Sequence, residues 1–163
     1  MDVSYLFWDL DGTLTDPGIG ITNSVMYALK KFNIEVADRS VLYPFIGPPL
    51  LESFTEYYDF SMEQAREAVE YGFDEETAHL GVTYYREYFG EKGIFENEVY
   101  PGIPELLDKC AKNGFKHVLA TSKPEHYAVQ IMEHFDLAKY FHCMCGSRLD
   151  AGYETKADVI RDA

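Results

Sequence analysis

The sequence predicts an α/β fold in which short parallel strands alternate with helices and a helical segment follows the first strand. Apolar runs at residues 5–8 and 117–120 are short and rich in aromatic or branched side chains, and each ends at a polar segment. Such runs are typical of strands buried in a sheet. The residues around them show helical spacing. Helices that separate buried strands indicate a parallel sheet.

Each predicted element has its own local signal. The first strand, Tyr5–Trp8, runs into an acidic, glycine-containing segment, and residues 19–32 then place their apolar side chains on one helical face. The remaining elements are predicted from capping residues, turn residues and apolar runs. In chain order they are helices opening at Pro48, Ser61 and Asp74, a helix over 105–112, the strand over 117–120, a helix over 125–135, a strand over 141–145 and a helix opening at Lys156.

This order divides the chain into a core and an insert. The core comprises residues 1–17 and 97–163, and residues 18–96 form an all-helical insert. A pattern in residues 58–71 recurs thirteen residues later, in residues 71–84, with six matched positions. We interpret it as a local duplication that lengthens the insert, with a break between two helices near Gly72.

Composition excludes several classes of partner. The chain of 163 residues carries 28 acidic and 14 basic side chains, a net charge of −14. This charge repels nucleic acid and anionic membranes, so neither is expected as a partner. A phosphate site in such a field has to supply a metal ion, lysines and backbone N–H groups.

The N-terminal segment lacks the basic start of a signal peptide, which predicts a cytoplasmic location.

The three cysteines do not suggest a disulfide framework. His142, Cys143 and Cys145 resemble half of a zinc site, but no second pair of cysteine or histidine lies at a usable spacing. We therefore expect buried thiols on a strand.

The segment Asp9-Leu10-Asp11-Gly12-Thr13 carries the strongest chemical signal. Ligands of parallel α/β sheets bind beyond the carboxyl ends of the strands, where this segment lies. Alternation places Asp9 and Asp11 on one side, and two carboxylates so close require a divalent cation or a shared proton. Gly12 permits a sharp turn, and Thr13 can bind a phosphate oxygen. A plain surface turn does not follow a buried apolar run, and a calcium loop needs further acids.

Three motifs together resemble the haloacid dehalogenase superfamily, in its phosphoglycolate phosphatase and 5′-nucleotidase-like branch. They are FWDLDGTLTD, VLATSKPE and the lysine that follows GSRLDAGYET. The resemblance implies a Rossmann-like core with a helical cap and a Mg²⁺-dependent phosphatase. Its expected substrate is a small phosphorylated metabolite, of the phosphoglycolate or nucleoside 5′-monophosphate class.

The resemblance also implies roles for individual residues. Asp9 would be the nucleophile that forms an aspartyl-phosphate, and Asp11 the general acid and base, with Mg²⁺ held by both. Thr121 would bind phosphate, Ser122 and Lys123 are flanking candidates, and Lys156 would pair with the nucleophile. Without the motif series, Thr121 would simply end a strand and Lys156 would be a solvated surface residue.

The segment Phe45–Leu50 resembles the cap loop that faces the substrate, with Gly47 as its binding residue. The alternative, of equal weight, is the N-terminus of an ordinary helix. Caps of this kind close over the site and select the substrate.

The fourth motif of the family, a strand ending in Gly-Asp, is expected after Ala163, so we expect the C-terminal part of the core to be missing. That predicts an exposed sheet edge at Tyr5–Trp8, homodimerisation through it and weakened Mg²⁺ binding. Two alternatives remain: a phosphomutase of the β-phosphoglucomutase type, and an incomplete fragment that needs a second chain.

Overall fold

The computed structural model describes residues 4–57, 75–148 and 156–163. The chain forms two compact units, one of Met1–Asp16 with Glu98–Ala163 and one of Pro17–Asn97. We call them the α/β unit and the helical unit. The sequence predicts the insert over 18–96, so each observed boundary lies one residue away from the predicted one.

Strands and helices alternate in the α/β unit, and helices dominate the helical unit. The strands are β1 (Tyr5–Trp8), β2 (Thr15–Asp16), β3 (Glu98–Val99), β4 (Lys116–Pro124) and β5 (Phe141–Ser147). The helices are α1 (Gly18–Lys31), α2 (Leu50–Glu52), α3 (Glu75–Tyr88), α4 (Ile103–Lys112), α5 (Glu125–His134) and α6 (Lys156–Asp162). No helix in the described ranges has the length and apolar character needed to cross a membrane.

The main sheet has the order β1-β4-β5, and both strand pairs are parallel. Helix α5 connects β4 to β5, and α4 precedes β4, as parallel pairing requires a crossover rather than a hairpin. Side chains from the middle strand fill the core: Val118, Leu119 and Ala120 are almost fully buried. The predicted α/β class with a parallel sheet is confirmed.

Two strands extend further than predicted. β4 continues through residues 121–124, and after an irregularity its ladder resumes with Pro124 beside Ser147 of β5. The predicted end of this strand at Ala120 was four residues short because the prediction relied on hydrophobicity, whereas the polar residues 121–124 continue the strand to the point where Pro124 pairs with Ser147. The predicted end of β5 at Cys145 was two residues short for the same reason.

β1 was predicted to be buried, but only alternate side chains are withdrawn from water. Tyr5 and Phe7 are 52% and 50% exposed, while Leu6 and Trp8 are half-buried. Within the described residues, β1 pairs with β4 on one side and lies at the end of the strand order. Such edges attract other chains. Self-association through β1 stays a prediction that light scattering would test.

The opposite face of β1 is anchored by a buried histidine. Trp8 Nε1 donates a hydrogen bond to Nδ1 of His117 over 2.9 Å. Nε2 of His117 lies 3.0 Å from the carbonyl oxygen of Leu107 in α4. Because Nδ1 accepts, Nε2 carries the proton and donates to that carbonyl. The ring therefore ties β1 and β4 to α4.

A short antiparallel pair marks the passage between the two units. β2 and β3 pair Thr15 with Val99 and Asp16 with Glu98, and the N–H of Tyr100 donates to the Leu14 carbonyl over 3.1 Å. The chain thus leaves and re-enters the α/β unit on adjacent strands. These two-residue strands were not predicted, since so short a pair has no hydrophobic periodicity.

Close backbone contact organises the helical unit, in which α1 packs against α3. Gly20 of α1 donates its N–H to the Glu96 carbonyl over 2.8 Å, and a Cβ built on Gly20 would lie 2.0 Å from the Gly93 carbonyl oxygen. Only glycine fits there. Residues 58–74 lie outside the described residues, so the thirteen-residue repeat and the break near Gly72 stay predictions.

Candidate active site

The loop after β1 folds around the backbone carbonyl group of one buried residue. The carbonyl of Leu10 accepts hydrogen bonds from the N–H groups of Thr13, Leu14 and Thr15 at 3.2, 2.9 and 3.1 Å, and Leu10 itself is fully buried. Gly12 has φ +76, a conformation that favours glycine, and donates its N–H to the Thr15 carbonyl over 2.8 Å. The two aspartates are thereby held on either side of Leu10.

Asp9 is held at both carboxylate oxygens. Its Oδ1 accepts a hydrogen bond from the N–H of Leu10 over 2.9 Å. Its Oδ2 accepts from Nζ of Lys156, the first residue of α6. The lysine predicted from its place after the third motif therefore lies against the predicted nucleophile, although 147 residues separate them in the chain.

Asp11 pairs with a different lysine. Its Oδ2 lies 2.9 Å from Nζ of Lys123, whose side chain is only 6% exposed, whereas that of Asp11 is 21% exposed. A lysine is rarely so buried unless a negative charge compensates it. The sequence suggests Lys123 as a phosphate-flanking residue, and the structure places its ammonium group on Asp11.

Thr121 and Ser122 turn in different directions at the irregular part of β4. Thr121 is buried, and its hydroxyl oxygen accepts the N–H of Lys123 over 3.2 Å. Ser122 is exposed, and its carbonyl accepts a hydrogen bond from the Ser147 hydroxyl over 2.8 Å. Thr121 thus helps to shape the backbone that carries Lys123. Its own hydroxyl proton remains available to a ligand.

Two buried oxygen atoms near this loop stand out. Among the described residues, Oδ1 of Asp11 and the hydroxyl oxygen of Thr15 are buried without a hydrogen-bond partner. Asp11 and Thr15 also form an isolated backbone bridge. Buried polar atoms are normally paired, so these two oxygens of one loop are available to hydrogen-bond or coordinate a ligand. Sequence reasoning missed Thr15, because a threonine two residues past Thr13 carries no signal of its own.

Two further predicted site residues, Thr13 and Gly47, are both exposed. Thr13 is exposed at the tip of the loop. Gly47 belongs to the helical unit, is exposed and has φ +110. Its predicted contact with substrate stays a prediction.

The arrangement can perform acid–base and nucleophilic chemistry on an anion. Two carboxylates lie at the carboxyl end of β1, each neutralised by one lysine from a later part of the chain. A carboxylate with one oxygen held by a backbone N–H keeps a defined orientation, and the two ammonium groups provide positive charge for a negatively charged ligand. Within the described residues, no group of three or more His, Cys, Asp or Glu side chains is placed to hold a metal ion.

Comparison with known proteins identifies the class. The fold and the site define a parallel α/β protein with two aspartates, each paired with a lysine, at the carboxyl end of β1. The family model for haloacid dehalogenase-like hydrolases matches residues 6–160. The chain belongs to this family, and the predicted resemblance is confirmed.

Individual relatives agree with the family. The chain is 42% identical over 156 residues to a protein named 5′-nucleotidase from Pseudomonas aeruginosa, covering 96% of this chain and 65% of that protein. It is 30% identical over 158 residues to the tyrosine-protein kinase PtkA from Mycobacterium tuberculosis, covering 97% of this chain and 49% of PtkA. The chain thus spans between about half and two thirds of the length of these relatives.

A solved structure shows the same fold at higher identity. The crystal structure of a predicted phosphatase from Clostridium acetobutylicum superposes with a TM-score of 0.83 at 51% identity. The match covers 99% of this chain and 69% of the other.

Proposed function

We propose that the protein is a phosphate monoester hydrolase that acts through an aspartyl-phosphate on a small phosphorylated metabolite. The observation that carries the proposal is the pairing of Asp9 with Lys156 and of Asp11 with Lys123 at the carboxyl edge of the sheet. Membership of the haloacid dehalogenase-like hydrolases supports it. So does the similarity to proteins named 5′-nucleotidase and phosphoglycolate phosphatase.

Asp9 is the proposed nucleophile. Its Oδ1 is fixed by the N–H of Leu10, so the carboxylate does not have to be oriented when substrate arrives. Lys156 is half-exposed and can contact a phosphate oxygen while remaining near Asp9. The carboxylate attacks phosphorus, the alcohol leaves, and water then hydrolyses the acyl phosphate. Two easier steps replace one difficult one.

Asp11 is the proposed general acid and base. It donates a proton to the leaving oxygen and later takes one from the attacking water. The ammonium group of Lys123, whose side chain is only 6% exposed, holds one oxygen of this carboxylate. That contact fixes the direction in which the other oxygen faces.

Magnesium fits the residues present. Mg²⁺ binds hard oxygen ligands and commonly uses one or two carboxylates together with waters and substrate phosphate. Asp9 would supply its carboxylate and Asp11 its backbone carbonyl oxygen, and Oδ1 of Asp11 is a buried oxygen that lacks a hydrogen-bond partner among the described residues. When bound, the ion would neutralise charge on the transferring phosphoryl group. Thr121, Ser122 and Thr13 would provide hydroxyl donors to the phosphate, whereas the N–H of Gly12 is donated to the Thr15 carbonyl within the loop.

The substrate class is a phosphoglycolate-like acid or a nucleoside 5′-monophosphate. The names of the relatives support this class. We assign substrate selection to the loop containing Gly47, whose positive φ shows that the backbone there needs glycine.

Exchanging Ile46 for alanine would change the ranking of substrates without altering the response to Mg²⁺. An unchanged ranking would show that this loop does not select the substrate.

Phosphate release and trapping of the nucleophile together test the proposal. The purified protein is assayed with phosphoglycolate, nucleoside monophosphates and sugar phosphates, with Mg²⁺ and with a chelator. Separately, ¹⁹F NMR follows beryllofluoride in the presence of Mg²⁺. We expect Mg²⁺-dependent release and a beryllofluoride adduct that Asp9→Asn abolishes. An adduct that persists in Asp9→Asn would refute the assignment, even where turnover is slow.

Transfer to an acceptor other than water is the second candidate. The 30% identity to the tyrosine-protein kinase PtkA favours it, and a phosphomutase would use the same aspartates. Substrate turnover in ¹⁸O-labelled water separates the two. Hydrolysis places the label in inorganic phosphate, whereas transfer leaves unlabelled phosphate on a second organic product.

A further inference from the structure

The pairing of β4 with β5 is irregular at the polar end of β4. In the ladder Ala120 lies beside Cys145, and the next pair is Pro124 beside Ser147. From the first pair to the second, β4 advances from 120 to 124, whereas β5 advances only from 145 to 147. β4 therefore has two more residues than β5 at this point, and we call residues 121–123 the β4 bulge. Bulges commonly redirect a side chain next to a functional site.

Lys123 is the last residue of the β4 bulge and half of a charged pair. Its side chain is only 6% exposed, and its Nζ lies 2.9 Å from Oδ2 of Asp11. The attraction between two charges weakens as their separation grows, so a displaced Lys123 backbone would loosen this contact. Whatever fixes the backbone of the β4 bulge therefore also fixes the direction of the Asp11 carboxylate.

Gly146 of β5 lies directly against this backbone. A Cβ built on Gly146 would lie 2.5 Å from Cα of Glu125, 2.6 Å from the nitrogen of Glu125 and 2.6 Å from the carbonyl oxygen of Lys123. All three are backbone atoms, which cannot rotate away. The φ angle of Gly146 is not positive, so glycine is needed here for space rather than for its conformation. Any larger residue would have to separate β5 from Lys123 by roughly 0.5–1 Å to restore ordinary van der Waals contact.

Two hydrogen bonds reinforce this close approach. The hydroxyl of Ser147 donates to the carbonyl of Ser122 over 2.8 Å. The N–H of Gly146 donates to Oε2 of Glu125 over 3.3 Å. The end of β5 thus contacts the chain on both sides of Lys123, at the residue before it and at the second residue after it.

We propose that Gly146 and Ser147 are positioning residues, which hold Lys123 where its ammonium group orients Asp11. They act through Lys123 and the backbone of residues 122–125. The inference rests on the proposed function, in which Asp11 is the general acid and base, and it adds the residues that set the orientation of that group. The effect falls on kcat rather than on KM, because a misdirected Asp11 carboxylate impairs proton transfer and leaves substrate binding intact.

A double-mutant cycle with Lys123→Met tests the positioning role. Gly146→Ala should lower kcat on the order of 10- to 100-fold, with KM nearly unchanged. In the Lys123→Met background, the same change should lower kcat by less than about 2-fold, because the lysine that transmits the displacement is gone. Ser147→Ala should lower kcat by about 3-fold through one lost hydrogen bond, and Ser147→Thr, which keeps the hydroxyl, should restore it.

Gly20→Ala is the matched control for the glycine variant. A Cβ at Gly20 would also meet backbone atoms, but within the helical unit. It should lower stability while kcat stays within about 2-fold of wild type, because sites without shared partners act independently. A loss of kcat that merely follows a loss of stability would appear in both glycine variants.

Acetylation of lysines measures the same displacement without turnover. The folded protein is treated with acetic anhydride, and the acetylated peptides are quantified by mass spectrometry. In wild type, the buried amine of Lys123 should react on the order of 10-fold more slowly than the exposed Lys109, because reaction requires local opening. Gly146→Ala should raise the rate at Lys123 several-fold and leave the rate at Lys109 unchanged. Asp11→Asn, which removes the charged partner, should raise the rate at Lys123 as well.

Three results would overturn the proposal. They are an equal loss of kcat from Gly146→Ala with and without Lys123, a Ser147→Thr variant no better than Ser147→Ala, and a Lys123 that stays protected in Gly146→Ala. Circular dichroism establishes folding, and if Gly146→Ala unfolds, the two Ser147 variants decide by the same measurements. A wild-type protein that releases no phosphate would refute the proposed function instead, and the acetylation rates would still decide whether the end of β5 positions Lys123.

Discussion

Both units withdraw polar side chains from water, but they differ in how those side chains are hydrogen-bonded. In the helical unit, Arg39, Asn23, Glu96 and Tyr88 form a continuous hydrogen-bonded chain. Arg39 donates to Asn23 over 2.8 Å, Asn23 donates to one oxygen of Glu96 over 2.8 Å, and Tyr88 donates to the other over 3.0 Å. Burial and the Glu96 carboxylate raise the pKa of Tyr88. Each of these four side chains thus has a hydrogen-bond partner within the helical unit.

The α/β unit contains the contrasting case. Asp11 has one oxygen on Lys123 and a second, buried oxygen that has no hydrogen-bond partner among the described residues. The unpartnered hydroxyl oxygen of Thr15 lies in the same loop. A satisfied network stabilises a fold, whereas an unsatisfied buried group persists where a ligand supplies the missing contact. Variants in the two regions should therefore separate activity from stability.

Asp9→Asn should have the largest effect, and on activity alone. Loss of the nucleophile is expected to reduce kcat on the order of 10⁴-fold or more, equivalent to about 5 kcal/mol of transition-state stabilisation. Asparagine has nearly the same shape and can still accept the Leu10 N–H. The thermal midpoint should therefore change little. Steady-state phosphate release and thermal unfolding measure the two quantities, and a variant with wild-type kcat would remove Asp9 from the mechanism.

Gly20→Ala should have the opposite profile. A Cβ at this position would lie 2.0 Å from the Gly93 carbonyl oxygen and 2.9 Å from that of Glu96. Both are backbone atoms that cannot rotate away, so we expect about 3 kcal/mol of lost stability in urea unfolding. Lys30→Ala, an exposed position on the same helix, is the control and should change stability by less than about 0.5 kcal/mol. An unaltered midpoint for Gly20→Ala would show that α1 can shift.

The same contrast explains what could be predicted from the sequence. Asp9 and Asp11 are found by a local motif, and Lys156 follows from its order in the motif series. The strand Tyr5–Trp8 was predicted with its observed limits. These signals are local, because a few adjacent residues carry both the strand and its acidic loop.

The features that were missed depend on distant residues. Lys123 lies in the part of β4 beyond the predicted strand and contacts Asp11, which lies far earlier in the chain. The contact of Gly20 with Gly93 joins two elements 73 positions apart, as 93 − 20 shows. The pairing of β2 with β3 joins the two ends of an inserted unit. No local pattern distinguishes such contacts from ordinary surface residues.

Lys123→Met distinguishes the predicted role of Lys123 from the observed contact. If Lys123 positions Asp11, then kcat should fall on the order of 100-fold, or about 2.7 kcal/mol, with KM nearly unchanged. A residue that binds the phosphate of the substrate would raise KM instead. Lys109→Met removes an exposed lysine from α4 and serves as the control. A change confined to KM would restore the sequence-based assignment.

Asp38 should produce the smallest effect, and on stability alone. It caps the 3₁₀ turn Arg39–Phe45 of the helical unit, where its two oxygens accept the N–H and the hydroxyl of Ser40 at 2.9 and 2.7 Å. Both hydrogen bonds hold the pKa of Asp38 below its usual value, and the bond from the Ser40 N–H contributes more than the bond from the Ser40 hydroxyl. A lowered pKa in the folded state means that the charged carboxylate stabilises the fold above the unfolded pKa of about 3.9. That contribution disappears as the pH falls through the folded value.

Asp38→Asn keeps an acceptor for the Ser40 N–H but cannot ionise, so its stability should lack this dependence on pH. The difference in unfolding free energy between wild type and Asp38→Asn should be constant near neutral pH and should shrink as the pH falls below about 4. Urea unfolding at pH 7 and pH 3 measures it. A difference of equal size at both pH values would show that the carboxylate charge contributes nothing.

Because Asp38 belongs to the helical unit and its side chain is exposed, phosphate release by Asp38→Asn at pH 7 should match wild type. A loss of turnover without a loss of stability would contradict the division of roles between the two units.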